Sequence, residues 1–271
     1  MTVWIGTSWK MNKTLAEAQG YASGLLTGLD SRQLGTVQPF IIPPATALSA
    51  VAGVLAGDRR VLLGAQNTHW EDDGAWTGEV SVPQAADAGA QLVEIGHSER
   101  RAHFGETDET VQLKVAAVLR HGLTPLVCVG ESAEVRDAGR SSEFILRQAA
   151  RALDGLSGEE LSRVLIAYEP VWAIGAAGRP ADPDELRDPF ASLAGSWGHR
   201  VAGLLYGGSV APDNAAALLE IPHVSGLFIG RAAWQVDGYL ALLDIAAESA
   251  ANRSTKRSGR KPTANKELRT S

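Results

Sequence analysis

Cysteine is almost absent from this chain: Cys128 is the one thiol in 271 residues. No disulfide can form within the chain, which excludes a small scaffold stapled for secretion. No apolar run reaches the length of a membrane span, and no glycine or proline repeat suggests a fibre. The opening Met1-Thr2-Val3-Trp4-Ile5-Gly6 has no basic leader and no long apolar run, so neither a secretory signal nor a transit peptide is expected. Together with the single cysteine, this points to the cytoplasm. No Gly-x-Gly-x-x-Gly follows the first apolar segment, which argues against a dinucleotide site.

What is present is an ordinary globular composition, with 45% hydrophobic and 21% charged residues. The net charge of −6 is unevenly placed. From Ala251 onward there are seven basic residues (Arg253, Lys256, Arg257, Arg260, Lys261, Lys266, Arg269) and one acid, Glu267, leaving 18 basic and 30 acidic residues before them. This end lacks apolar periodicity and is rich in Ser, Thr, Gly and Pro. Residues 251–271 are therefore expected to form a disordered, solvated basic tail, with no nucleic-acid partner and no membrane partner. Residues 1–250 form the folded body.

The body repeats an apolar run, a polar loop and an amphipathic segment. Strands are predicted at Val3–Trp9, Val37–Ile42, Val61–Gln66, Gln91–Gly96, Thr124–Val129, Val164–Tyr168, Val201–Tyr206 and Gly226–Ile229. Helices are predicted at Ala16–Leu29, Thr46–Leu55, Thr107–His121, Ser142–Leu153, Asp184–Gly195 and Asp213–Leu219. Eight strands alternating with helices in an α/β chain of this length predict a single-domain parallel (β/α)8 barrel, with an open doubly wound sheet as the alternative.

In such a barrel the chemistry gathers at the carboxyl ends of the strands. Ser8-Trp9-Lys10 follows the first strand, His97-Ser98-Glu99-Arg100-Arg101 the fourth and Glu169 the sixth. Tyr206-Gly207-Gly208-Ser209 and Gly230-Arg231 close the seventh and eighth. Glu169, followed by Pro170-Val171-Trp172-Ala173-Ile174-Gly175, reads as a general base at the root of a hinged lid. Ser98 does not pair with His97 as a nucleophile, because adjacent residues on an extended segment point to opposite faces. His97 and His103 have no third ligand at metal spacing, so no metal and no cofactor is expected. Cys128, within Leu126-Val127-Cys128-Val129, is predicted to be a buried strand residue.

Across residues 3–245 the sequence resembles the triosephosphate isomerase family. The resemblance is carried by Trp9-Lys10-Met11-Asn12, Gly64-Ala65-Gln66-Asn67, Thr77-Gly78-Glu79, Gly96-His97-Ser98-Glu99-Arg100-Arg101, Phe104-Gly105-Glu106, the run from Glu169 to Gly175, and Tyr206-Gly207-Gly208-Ser209. It implies that Glu169 is the catalytic base and that His97 is a neutral electrophile, its pKa depressed by a helix N-terminus. It further implies that Lys10 supplies positive charge and that Glu99 holds Lys10. Phosphate would be bound by backbone N–H groups at Gly175, Ser209, Gly230 and Arg231, the Arg231 side chain either taking part or pointing away.

Three segments depart from the common family pattern. Ser8 stands where an Asn is usual, Gly230-Arg231 replaces Gly-Gly, and the lid's far end reads Ala176-Ala177-Gly178-Arg179-Pro180. These variants resemble the branch associated with erythritol breakdown, the L-erythrulose-1-phosphate isomerases. Their substrate is a triose phosphate carrying CH2OH in place of one hydrogen on the reacting carbon, and a Ser8-sized gap would admit it. The alternatives are a triosephosphate isomerase of glycolysis and, more remotely, a barrel that binds a sugar phosphate without turning it over. The loop Asn67–Ser81, with Trp70 and Trp76, reads as the interface of a homodimer.

Overall fold

The strands of this chain are short and apolar on both faces, as a sheet needs when helices cover one side and its own interior the other. The computed structural model describes residues 2–175 and 178–258. Eight parallel strands, β1 (Val3–Ser8), β2 (Val37–Ile42), β3 (Leu62–Ala65), β4 (Leu92–Ile95), β5 (Thr124–Val129), β6 (Leu165–Tyr168), β7 (Gly203–Tyr206) and β8 (Gly226–Ile229), close into a barrel in sequence order. The ring is completed where β8 lies against β1, with Trp4 opposite Gly226 and Thr7 opposite Ile229. Gly226 is required there, because a Cβ would stand 1.9 Å from the carbonyl oxygen of Trp4.

Helices α1 (Leu15–Leu29), α2 (Leu48–Leu55), α3 (Val82–Asp87), α4 (Ser98–His103), α5 (Asp108–Arg120), α6 (Ala133–Asp137), α7 (Ser141–Ala152), α8 (Gly158–Leu161), α9 (Pro183–Trp197), α10 (Pro212–Glu220) and α11 (Val236–Ser258) surround the ring. Local chemistry marks several of their starts. Thr14 caps α1 and is itself capped by Glu17, and Ser81 with Gln84 and Asp182 with Glu185 form the same reciprocal pair at α3 and α9.

All eight strands were legible in the apolar runs, each trimmed by at most two residues at an end. The long α11 was not. It continues past Ala250 to Ser258, so the first eight residues of the expected tail are helical, and Arg253 donates to the carbonyls of Leu219 at 3.0 Å and Val224 at 3.4 Å. Two backbone acceptors at the end of α10 and in the turn after it account for an arginine that read as part of a solvated run. Residues 259–271, the rest of that tail, lie outside the described residues.

Side chains alternate along each strand. Phe40, Ile42, Leu92, Leu126, Cys128, Leu165, Ala167, Leu205 and Phe228 fill the barrel, while Ile41, Val93, Val127, Ile166, Leu204 and Leu227 pack outward beneath the helices. The barrel is thus a packed core, each buried aliphatic side chain contributing about 1.5–3 kcal/mol. Continuing the alternation to the strand ends turns Glu94, two residues after Leu92, and Glu169, two after Ala167, into the mouth. Among the described residues no helix is long and apolar enough to cross a membrane.

One buried hydroxyl ties α11 to the ring. Tyr239 Oη lies 2.7 Å from the Ile5 carbonyl and 3.1 Å from both the amide and the carbonyl of Phe40. Tyr239→Phe leaves the volume intact but strands these polar groups without water. Stability should fall by about 1–3 kcal/mol, read as a lower denaturation midpoint at unchanged slope.

Candidate active site

The site begins at β1, whose last residue, Ser8, is 4% exposed and donates its hydroxyl proton to Glu94 Oε2 at 2.8 Å. The Ser8 carbonyl accepts from Trp234 Nε1 at 2.9 Å, which fixes the strand end. Two residues on, Lys10 occupies the left-handed region at φ 51°, a conformation a non-glycine residue holds only when its surroundings impose it. Gln66 Nε2 donates to the Lys10 carbonyl at 2.8 Å, and Lys10 Nζ meets Glu99 Oε1 at 2.7 Å. Glu99 is thus placed where the sequence put it, against the lysine. Both partners are partly exposed, so the pair orients Lys10 more than it stabilises the fold.

At the end of β4 the chain turns through Gly96, at φ 76°, and His97 caps α4. The amide of Glu99 donates to His97 Nδ1 at 3.1 Å. An accepting Nδ1 means that the neutral ring carries its proton on Nε2, the nitrogen turned toward the mouth. The pKa of His97 is lowered to about 4, first by burial and then by the charges of Lys10 and Arg100, with Glu99 opposing. A helix N-terminus was the cause expected from the family. Here the largest cause is desolvation, and the first turn of α4 contributes the amide bond to Nδ1.

Glu169 directly follows β6, 3% exposed, with its amide bonded to the Val129 carbonyl at 2.7 Å. Its Oε2 stands 3.9 Å from His97 Nε2 and has no hydrogen-bond partner. Burial raises its pKa to about 8, with the charge of Glu94 adding to the shift and Cys128 and Lys10 opposing it. The carboxylate fits because residue 207 is glycine: a Cβ there would lie 2.6 Å from Glu169 Cγ.

A cavity of about 640 Å³ opens above these groups, a size suited to a small phosphorylated metabolite. Ser8, Lys10, His97, Glu99, Glu169, Gly175, Ser209, Gly230 and Arg231 all line it, so the structure brings every site residue singled out in the sequence to one place. Ser209 donates to the Ala173 carbonyl at 2.8 Å, linking the loop after β7 to the lid. Arg231 Nη2 donates to the Gly175 carbonyl at 3.1 Å, so its side chain reaches across the mouth to the lid. Ala176 and Ala177, two of the residues that set this lid apart from the family pattern, lie outside the described residues.

Sequence reasoning missed three groups. Glu94, 3% exposed, has its pKa raised to about 7 by burial. The clue was a lone acid in the apolar strand Leu92-Val93-Glu94-Ile95, in phase with an inward leucine. Cys128 is buried as expected but faces the barrel interior, where its thiol opposes the rise in the pKa of Glu169. Glu131 accepts from Trp172 Nε1 at 2.8 Å and Tyr168 Oη at 3.1 Å, anchoring the root of the lid, and nothing local in the sequence signalled it.

A buried carboxylate facing a neutral N–H across 3.9 Å is suited to moving a proton between neighbouring carbons, the work of a (β/α)8 isomerase. The sequence model described as triosephosphate isomerase matches residues 3–246. The chain belongs to the triosephosphate isomerase family and is an isomerase. It is 66% identical to a protein of Mycolicibacterium smegmatis named L-erythrulose-1-phosphate isomerase, over 90% of this chain and 93% of that one. A Rhizobium rhizogenes protein of the same name is 52% identical over 92% and 95% of the two chains. The crystal structure of triosephosphate isomerase from Bartonella henselae superimposes with a TM-score of 0.79 at 36% identity, over 90% of this chain and 99% of that one.

The opposed pKa shifts set the pH dependence. A base with its pKa raised to about 8 is mostly protonated below that pH, whereas His97, lowered to about 4, stays neutral throughout the working range. The kcat/KM should therefore rise with pH through an ionisation near 8, distinct from the second ionisation of a substrate phosphate at about 6. An acid limb at the ordinary glutamate value of 4.5 would contradict this electrostatic arrangement.

Proposed function

We propose that the enzyme interconverts L-erythrulose 1-phosphate and D-erythrulose 4-phosphate. The observation that carries this reading is the 66% identity to a protein named for that activity, against 36% to the triosephosphate isomerase structure. Ser8, small and buried at the floor of the cavity, supports it by leaving room beside the reacting carbon for the CH2OH group.

Glu169 takes the proton from C3. The C–H electron pair forms the C2–C3 double bond, and the carbonyl π pair moves onto O2, giving an enediolate. His97 Nε2–H hydrogen-bonds the oxygens as their charge develops, and the Lys10 ammonium adds fixed positive charge close by. Glu169 then returns its proton to C2 while the hydroxyl proton passes from O3 to O2, leaving the carbonyl at C3. No electrons enter or leave. The backbone amides at Gly175, Ser209, Gly230 and Arg231 hold the phosphate, and a closed lid excludes water that would solvate Glu169. A reducing cytoplasm, where we place the enzyme, suits its single buried thiol.

We also propose a homodimer built on the loop 67–81. The loop is ordered by its own contacts, His69 stacking on Trp70 at 4.0 Å and lying 4.3 Å from Trp76, so Trp70 is half-buried. Trp76 remains 48% exposed, and Met11 and Phe104, following Lys10 and α4, are 96% and 69% exposed. A second copy would cover this apolar surface beside the site.

Side-by-side kcat/KM values for L-erythrulose 1-phosphate and dihydroxyacetone phosphate test the substrate. We expect a preference of roughly 10- to 200-fold for the four-carbon sugar. A preference for the triose returns the enzyme to the three-carbon reaction. Glu169→Gln should lose about 10²–10⁴-fold with either substrate, whereas a non-catalytic binding barrel would be indifferent to the change. Sedimentation should show twice the monomer mass, and a fully active monomer would overturn the dimer.

A further inference from the structure

The mechanism above makes no use of Glu94. This carboxyl stands 4.0 Å from His97 Nε2 and is 3% exposed, a costly position for an ionisable group with no task. Its Oε2 accepts the Ser8 hydroxyl proton at 2.8 Å, which orients both side chains. Its Oε1 receives no hydrogen bond from the described residues and lies 4.0 Å from Nε2 of His97, which lines the cavity together with Ser8. Ser8 has committed its only proton to Glu94 and so presents lone pairs to the cavity it lines. The pair therefore offers hydrogen-bond acceptors to whatever occupies the space beside the reacting carbon.

The four-carbon substrate differs from the triose phosphate by one CH2OH group, which brings a hydrogen-bond donor. We propose that Glu94, oriented by Ser8, is a specificity-determining residue whose Oε1 accepts the hydrogen bond of the substrate's terminal hydroxyl. This rests on the four-carbon reading and names the contact that enforces it. A triose in the same cavity leaves Oε1 dry and unpaired, a penalty that discriminates far better than the loss of apolar contact. The raised pKa of Glu94 fits this place: burial disfavours its charge, and the Ser8 bond is the leading opposing influence.

The test compares L-erythrulose 1-phosphate with its 4-deoxy analogue, which has a methyl group in place of CH2OH. In the wild-type enzyme the analogue should lose roughly 10- to 100-fold in kcat/KM. In Glu94→Leu and in the volume-conserving Glu94→Met, the ratio of the two values should collapse toward one, as for coupled partners in a double-substitution cycle. Wild-type values that do not distinguish the two compounds overturn the subsite. So do variants that keep the wild-type ratio while both rates fall, because Glu94 would then act only on His97. A wild-type enzyme that turns over dihydroxyacetone phosphate but not L-erythrulose 1-phosphate sinks the substrate reading itself, a different failure. Inhibition by inorganic phosphate and the melting temperature establish that each variant retains a folded pocket. If neither variant folds, the same ratio measured in Ser8→Ala decides, since losing the bond that aims Glu94 should also shrink it, and an unchanged ratio overturns the proposal.

Discussion

Closure of the ring is the constraint on which the rest of this molecule depends. A parallel sheet left open has two edges and spreads its strand ends along a line. Here β8 pairs with β1, and the eight carboxyl ends meet around one mouth. The closing contact is backbone against backbone, with no room for a side chain at Gly226. Because all strands run the same way, Ser8, Glu94 and Glu169, separated by up to 161 residues, reach one rim without any long loop having to carry them. Apolar side chains fill the interior below them, so the rim groups sit on a dry, solid floor.

That dryness sets the chemistry. The same burial that raises the pKa of Glu169 to about 8 and of Glu94 to about 7 lowers that of His97 to about 4. One cause acting on acids and a base in opposite senses yields a strong base beside a neutral N–H donor. The linkage has a sign. Carboxyl groups with folded-state pKa values raised above 4.5 contribute stability that is present below that pH and lost as pH rises through about 7 and 8. His97, lowered from 6.5, contributes stability present above that value and lost as pH falls through about 4. At neutral and alkaline pH the two carboxyls thus work against the fold, and the packed barrel beneath must offset them.

Much of this was legible because short strands leave a strong local mark. Runs such as Leu126-Val127-Cys128-Val129 are apolar on both faces, and the residues ending them are polar and particular: Lys10, His97, Glu169. Glu94 was not legible as a site residue. A lone acid in phase with Leu92 was its one local mark; what that acid does depends on a partner 86 residues away, Ser8, which no local window contains. Glu131 was invisible for the same reason, since its partner Trp172 lies 41 residues on. The continuation of α11 to Ser258 was missed because basic, polar residues without apolar spacing read as a solvated tail. Tertiary acceptors on and just beyond α10 hold Arg253 in place.

The amino-acid sequence by itself determined the alternation of strand and helix, the parallel barrel that this alternation builds, and the identity of the polar residues at the strand ends. These follow from periodicity and from capping and turn chemistry, which act over a few residues. Only the tertiary structure decided which of those residues face one another, how dry they are, and therefore which protonation states they hold. Burial and distance are properties of closure. A histidine and two glutamates become a neutral donor and two raised carboxyls only when a ring of eight strands removes the water between them.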